Sequence, residues 1–242
     1  MIEDRWVDKD ANDLVVRYAE IGISSDLALR VYTSRLIGSD PDLVMHGGGN
    51  TSCKTEVEDL FGDTQKVICV KGTGWDLATI EASGFPALKL DPLLKLRKLK
   101  MLSDKDMVNA QRTNLINQDS PNPSIETLLH AFLPHKVVDH THATAILSLA
   151  NLPEPKEIIQ EIFGDSIAIV PYIMPGFSLA KLAAEIADKN PKAKGLILLK
   201  HGHFTWGKSA KESYLRLIEQ TNLVEKWFLD IRRKTAHRGK KA

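Results

Sequence analysis

The chain has 242 residues, enough to bury one substantial core, and its 43% hydrophobic and 26% charged content is ordinary for a globular protein. A formal net charge of +1 gives no global field for nucleic acid, and no stretch of about 18 residues is free of charge, so no membrane span is read. Cys53 and Cys69 are too few for a disulfide framework, and Met1-Ile2-Glu3-Asp4-Arg5-Trp6 lacks a basic and then apolar signal segment, which together fit a cytoplasmic protein.

Residues 12–21 carry apolar side chains at helical spacing and stop at Gly22. Ser24 or Ser25 caps a second helix that runs to about Ile37 and stops at Gly38. A glycine-rich loop follows, His46-Gly47-Gly48-Gly49-Asn50-Thr51-Ser52, whose unobstructed amides can curl around an anion. It lacks the Gly-Lys-Ser/Thr of a nucleoside-triphosphate loop. Residues 66–70 read as a strand that opens into Lys71-Gly72-Thr73-Gly74. The third glycine of a dinucleotide fingerprint would fall on Leu77, so that reading fails, but small residues and a lysine at a strand end still suit an anion.

Residues 104–116 are helical, and Asn122-Pro123-Ser124 introduces another helix with Ser124 as its N-cap. The amides at that helix start also suit an anion. Glu126 falls in the first turn, where a glutamate can stabilise the helix or, facing a dication, serve as a general base. A strand through Lys136-Val137-Val138 leads into Asp139-His140-Thr141-His142. Imidazoles at i and i+2 of a strand share a face and make half of a metal site. A helix over 143–150, a strand over 166–173, a helix over 178–188 and a strand over 195–200 lead to a second pair, His201-Gly202-His203. Spacing leaves open which of these two joins the first pair. Ser209 and Glu212 form a capping box for a final helix to about Arg232, and the basic tail over 233–242 reads as a disordered, solvated terminus. The mixed order suits one α/β domain over 1–232 with helices covering a central sheet.

A histidine metal site, anion cradles and one carboxylate are the equipment for chemistry beside a carbonyl on a sugar phosphate. Gly49-Asn50-Thr51-Ser52, Gly72-Thr73-Gly74, Pro123-Ser124-Ile125-Glu126, His140-Thr141-His142 and His201-Gly202 occur in the order seen in the class II aldolase/adducin family. The resemblance spans about residues 10–230. It is strongest to the aldolase portion of the bacterial bifunctional rhamnulose-1-phosphate aldolase/short-chain dehydrogenase proteins, whose second domain has no counterpart here.

That resemblance implies a three-layer fold with a mainly antiparallel sheet. It implies Zn2+, or another divalent metal, on His140, His142 and His201, with His203 pointing elsewhere. It implies Glu126 as acid/base and Asn50, Thr73, Gly74 and Ser124 around a substrate phosphate. Fuculose-phosphate aldolases have a serine where this chain has Ile125; Lys71 is the candidate to complete the phosphate site. Tyr172 and Tyr214 are both open as the tyrosine that protonates the aldehyde. The expected activity is cleavage of a ketose 1-phosphate to dihydroxyacetone phosphate and an aldehyde by a homotetramer. An epimerase or dehydratase on the same scaffold is the alternative enzyme. An adducin-like interaction module is the non-enzymatic one, and it is expected to lack the zinc histidines that this chain keeps.

Overall fold

Side chains along the strands alternate between two apolar layers, as a pleated backbone requires. In the computed structural model, which describes residues 1–239, the strands are β1 (Asn50–Glu58), β2 (Thr64–Val70), β3 (Ala87–Lys89), β4 (Val137–Thr141), β5 (Ala168–Val170), β6 (Gly195–Leu198) and β7 (Gly202–Gly207). Among the described residues they form one sheet in the order β3-β2-β1-β4-β7-β6-β5. Neighbours are antiparallel except β5 and β6, which are parallel. Ile68, Val70, Val138, Leu196, Leu198, Phe204 and Trp206 face a layer built from α3 (Leu90–Leu96), α4 (Asp104–Thr113), α5 (Thr127–Phe132) and α8 (Phe177–Lys189). Val67, Cys69, Val137 and Ile197 face the opposite layer, built from α1 (Asp8–Ala19), α2 (Ser25–Gly38), α6 (Thr144–Ala150), α7 (Pro155–Phe163) and α9 (Ala210–Gly239). The expected α/β domain with a central, mainly antiparallel sheet in three layers is present.

Local signals placed several helix ends well. Ser24 caps α2 by accepting from the Leu27 amide at 3.3 Å. The Glu212 amide donates to Ser209 Oγ at 3.1 Å, although the Glu212 carboxylate reaches the Lys208 amide rather than closing the box on Ser209. Other expectations need correction. Asn50, Thr51 and Ser52 are the first residues of β1, not part of a loop. Their polar side chains are buried and bonded to other elements, so β1 shows no clean alternation at that end. No strand is predicted over β7 for a related reason: all six of its residues are buried, so neither face is marked by water. Ser124 is not the N-cap of α5; Glu126 holds that position and makes no side-chain cap bond. The final helix runs past Arg232 to Gly239, because lysine, arginine and alanine are good helix formers and cations suit a helix C-terminus. The basic tail expected from 233 therefore starts inside α9, and residues 240–242 lie outside the described residues. β3, α3 and α7 had no counterpart in the sequence reading.

One face of the sheet carries a buried polar network that ties four elements. Arg30 of α2 and Asp139 of β4 form an ion pair at 2.5 Å with both side chains fully buried. Asp139 also accepts from Ser213 of α9 at 2.5 Å, and Ser34 of α2 meets Thr51 of β1 at 2.8 Å. On the other face Lys54 of β1 donates from Nζ to the carbonyl oxygens of His130, Leu133 and His135 at 2.8, 2.7 and 2.8 Å. They belong to the last turn of α5, its C-cap and the loop that follows, where no helical partner is available. Burial pushes the Lys54 ammonium down to about 7, while the three carbonyls favour its charged form. Lys54→Met leaves all three without that donor and is expected to cost about 2–3 kcal/mol of unfolding free energy. Urea denaturation measures it; an unchanged midpoint would show that this clamp contributes nothing.

Candidate metal centre

The site forms where the C-terminal end of β4 meets the turn between β6 and β7. His140 lies opposite Phe204 in the β4–β7 register, and the two rings stack with centroids 4.2 Å apart. His142 lies one residue past β4. His201 sits in the short connection between β6 and β7, where Leu198 pairs with Gly202 and Lys200 adopts a left-handed φ of 58°. That strained residue, costing on the order of 1 kcal/mol, turns the chain so that His201 leans over the end of β4. Gly202 is required by contact rather than by φ. A Cβ there would lie 2.6 Å from Thr141 O, 2.8 Å from His140 Cε1 and 2.9 Å from His142 Cδ2. Only glycine leaves room for the two imidazoles.

One ligand atom from each of His140, His142 and His201 lies within 4.8 Å of the others. His140 Nε2 and His142 Nε2 are 3.0 Å apart. Glu126 faces the same centre, with Oε2 at 3.3 Å from His140 Nε2 and Oε1 at 3.2 Å from His201 Nε2. His203 does not join them. It lies on β7, turned to the opposite helical layer, and its Nε2 meets Gln220 Oε1 at 2.6 Å.

Hydrogen-bond sense gives the electronic character of the centre. His140 Nδ1 lies 3.1 Å from the carbonyl oxygen of His203, which can only accept, so Nδ1 carries the proton and Nε2 presents a lone pair. That lone pair faces a carboxylate oxygen, an arrangement that a cation between them would reconcile. Burial holds the His140 imidazole well below its usual range, and burial followed by the neighbouring His201 lowers His142, so both are neutral and fit to ligate. Burial opposes ionisation of Glu126. Donation from the Asn50 amide to Oε2 at 2.7 Å favours the ionised form, and the carboxyl is held below its usual range. Three imidazole nitrogens and an adjacent carboxylate suit a borderline divalent ion such as zinc.

The residues expected around a phosphate are brought to one side of this centre. Asn50 Nδ2 donates to Glu126 Oε2 at 2.7 Å and to Ser124 Oγ at 3.2 Å. The Ser124 amide donates to Lys71 O at 3.2 Å, and Thr73 Oγ1 donates to Pro123 O at 3.3 Å. Gly74 has a φ of +89° and open space where a side chain would stand. Lys71 is buried, and its Nζ donates to Gly47 O at 3.2 Å; burial lowers its ammonium, with Asp76 opposing. The glycine-rich loop is not a free anion cradle. Its Gly47 amide donates to Asp76 at 2.9 Å and its Gly48 amide to Met45 O at 2.9 Å. Gly49, at φ +63°, instead allows close approach to the strand that carries His140. Ile125 is exposed. Tyr214 is buried and accepts from the Arg5 amide at 3.1 Å; Tyr172 is half exposed, with its hydroxyl 3.1 Å from Met174 sulfur. His130, buried against Asn50 at 2.5 Å, was missed; the one signal for it is the i,i+4 spacing from Glu126.

This mainly antiparallel sheet between two helical layers is the architecture of the class II aldolases. The family described as Class II Aldolase and Adducin N-terminal domain matches residues 29–228, and the chain belongs to it. It is similar to the N-terminal class II aldolase domain of a conserved protein from Thermoplasma acidophilum, at 40% identity and a TM-score of 0.83, covering 94% of this chain and 100% of that one. It is 44% identical over 200 residues to a Bacillus subtilis protein described as the uncharacterized oxidoreductase YuxG. That match covers 83% of this chain, which spans 29% of the relative's length. The fold is also shared with L-fuculose-1-phosphate aldolase of Thermus thermophilus, at 14% identity and a TM-score of 0.54 over 84% of this chain and 95% of that one.

Burial pushes His203 down to about 4, with the Gln220 bond opposing. The folded value lies below that of the unfolded chain, near 6.5, so the stabilisation is complete above pH 6.5 and is lost as pH falls toward 4. Between pH 7 and pH 5 this one site is expected to remove about 2 kcal/mol. Urea unfolding of wild type and His203→Gln at the two pH values checks it, since the variant should lose about that much less. Equal losses in both would exclude His203 as the titrating group.

Proposed function

We propose that the chain is a divalent-metal-dependent aldolase that cleaves a ketose 1-phosphate to dihydroxyacetone phosphate and an aldehyde. The observation that carries the reading is the convergence of the Glu126 carboxylate on His140 Nε2 and His201 Nε2 at 3.3 and 3.2 Å. A carboxylate held among metal ligands, rather than spent on capping its own helix, is placed to move a proton. His140, His142 and His201 would hold the ion, zinc being the metal that the donor set suits best. When bound, the ion polarises the substrate carbonyl and stabilises charge that develops on its oxygen.

Glu126 does the proton transfer. In the synthetic direction its ionised form removes a proton from C3 of dihydroxyacetone phosphate. In the cleavage direction the C4 hydroxyl gives up its proton as its oxygen becomes the aldehyde, the C3–C4 bond breaks with its electron pair left on C3 in conjugation with the C2 carbonyl, and that proton is delivered through Glu126 to C3. Asn50, Thr73, Gly74, Ser124 and Lys71 surround the substrate phosphate. Asn50 can exchange its longer bond to Ser124 for a phosphate oxygen while keeping Glu126. Ile125 offers no donor, so Lys71 supplies the charge. We include in this reading a cytoplasmic homotetramer acting on a small phosphorylated sugar, with neither nucleic acid nor membrane as partner.

Two variants test the site. His142→Ala is expected to lose stoichiometric metal. Glu126→Gln should keep metal and lower turnover by roughly 10²–10⁴-fold. Dihydroxyacetone phosphate is measured with a coupled assay, which also separates cleavage from epimerisation or dehydration. Full turnover in Glu126→Gln would end its assignment as the base. Sedimentation of the metal-loaded protein should give four subunits, and an active monomer would contradict that part of the reading.

A further inference from the structure

We infer that Ser52 and His130 form a one-way hydrogen-bond relay that fixes the rotation of the Asn50 amide and, through it, the position of the Glu126 carboxylate. The inference rests on the aldolase reading only where it concerns turnover; the relay itself stands on the geometry.

Four contacts define it. Ser52 Oγ lies 2.8 Å from His130 Nδ1, and His130 Nε2 lies 2.5 Å from Asn50 Oδ1. Asn50 Nδ2 lies 2.7 Å from Glu126 Oε2 and 3.2 Å from Ser124 Oγ. The direction is imposed from the carboxylate end. An ionised carboxylate only accepts, so the amide nitrogen of Asn50 must face Glu126 and its oxygen must face His130. An amide oxygen also only accepts, so His130 must carry its proton on Nε2. A neutral imidazole then has a lone pair at Nδ1, and Ser52 donates to it. Burial pushes His130 down to about 3, so the ring is neutral. Were the Asn50 amide to flip, its oxygen would stand against a carboxylate oxygen, acceptor against acceptor, and His130 would face an amide N–H with its own N–H.

The backbone explains why these residues meet. Asn50, Ser52 and Lys54 are alternate residues of β1 and project to one face, against α5. Glu126 and His130 are one helical turn apart, with the His130 amide donating to Glu126 O at 3.2 Å. β1 therefore holds the start of α5 through Asn50, its middle through Ser52, and its end through Lys54. His130 is fully buried and reaches neither the centre of the three histidines nor solvent, so it is a positioning residue and not a catalytic one. Without it Asn50 Oδ1 loses its donor, and the amide that aims Glu126 is free to rotate.

The test has two arms on the metal-loaded protein. Nitrogen NMR of the histidine rings in the unmutated protein should place the His130 proton on Nε2, with Nδ1 unprotonated; a proton on Nδ1 alone overturns the relay and needs no variant. In the second arm His130→Leu removes the donor, while His130→Gln can return an amide N–H to Asn50. His130→Leu should lower kcat roughly 10–100-fold with metal stoichiometry within about twofold and KM raised as Asn50 loosens its hold on the phosphate, and His130→Gln should recover most of both. Equal impairment of the two variants with metal retained would overturn the relay, as would full turnover in His130→Leu. If the leucine variant does not fold, the glutamine variant and the ring tautomer decide. A wild-type protein that cleaves no ketose 1-phosphate counts against the proposed function and leaves the tautomer to judge the relay.

Discussion

Two groups that can only accept hydrogen bonds face one another in the interior of this protein, and much of the surrounding structure follows from that pairing. The lone pair of His140 Nε2 is set by the His203 carbonyl behind the ring, and the Glu126 carboxylate lies 3.3 Å in front of it. Electrostatics disfavours such a contact in a poorly solvated place unless a positive charge enters it. His142 and His201 complete a nitrogen-lined pocket around the same point. A buried anion and neutral imidazoles that would repel one another in isolation become a coherent set once a dication is the reference. The stacking of His140 on Phe204 and the glycine at 202 are then fittings that keep the rings in place.

The two sides of the sheet divide the labour. Toward α2 and α9 the central strands present Asp139, Thr51, His203 and Thr205, whose partners are Arg30, Ser34, Gln220 and Ser213. Toward α5 and α8 they present His140, Asn50 and Ser52, which converge on Glu126 directly or through His130. Adjacent residues of one strand thus serve stability and function in turn. Asp139 and His140 show this most directly. The first is locked in an ion pair with no exposure, and the second opens onto the metal centre.

How much of this was legible in the sequence depended on where water touches each element. α4, with one wet face, was readable through its periodicity, and α2 through the capping serine at its start and the glycine at its end, because these signals are local. Strands buried on both faces were not. β7 contains His203, Thr205 and two glycines, and no strand is predicted over it; Gln220 and Ser213 arrive from α9 to bond its polar atoms. The same blindness hid the start of β1, where Asn50 and Ser52 look like turn residues but are held by α5. The histidine pair at 140 and 142 was visible through spacing, and the choice of His201 over His203 came from family resemblance. His203 faces the other layer because β7 starts at Gly202, a boundary that periodicity could not supply. His130 stayed hidden because an isolated histidine in a short apolar helix carries no sign of its partners.

His140 and His142 come from the end of β4 and His201 from the β6–β7 turn, distant along the chain and brought together through the β4–β7 register, in which Thr141 pairs with His203. An unfolded chain can offer the ion at most the neighbouring imidazoles at 140 and 142, with no third ligand in reach except by closing a long loop. Affinity for the folded state must therefore exceed affinity for the unfolded one, and free metal concentration enters the folding equilibrium by mass action. An ion held by these three imidazoles would act as a thermodynamic staple across the central strand pair. A cell short of that metal would hold not merely less active protein but protein whose two sheet halves are less firmly joined.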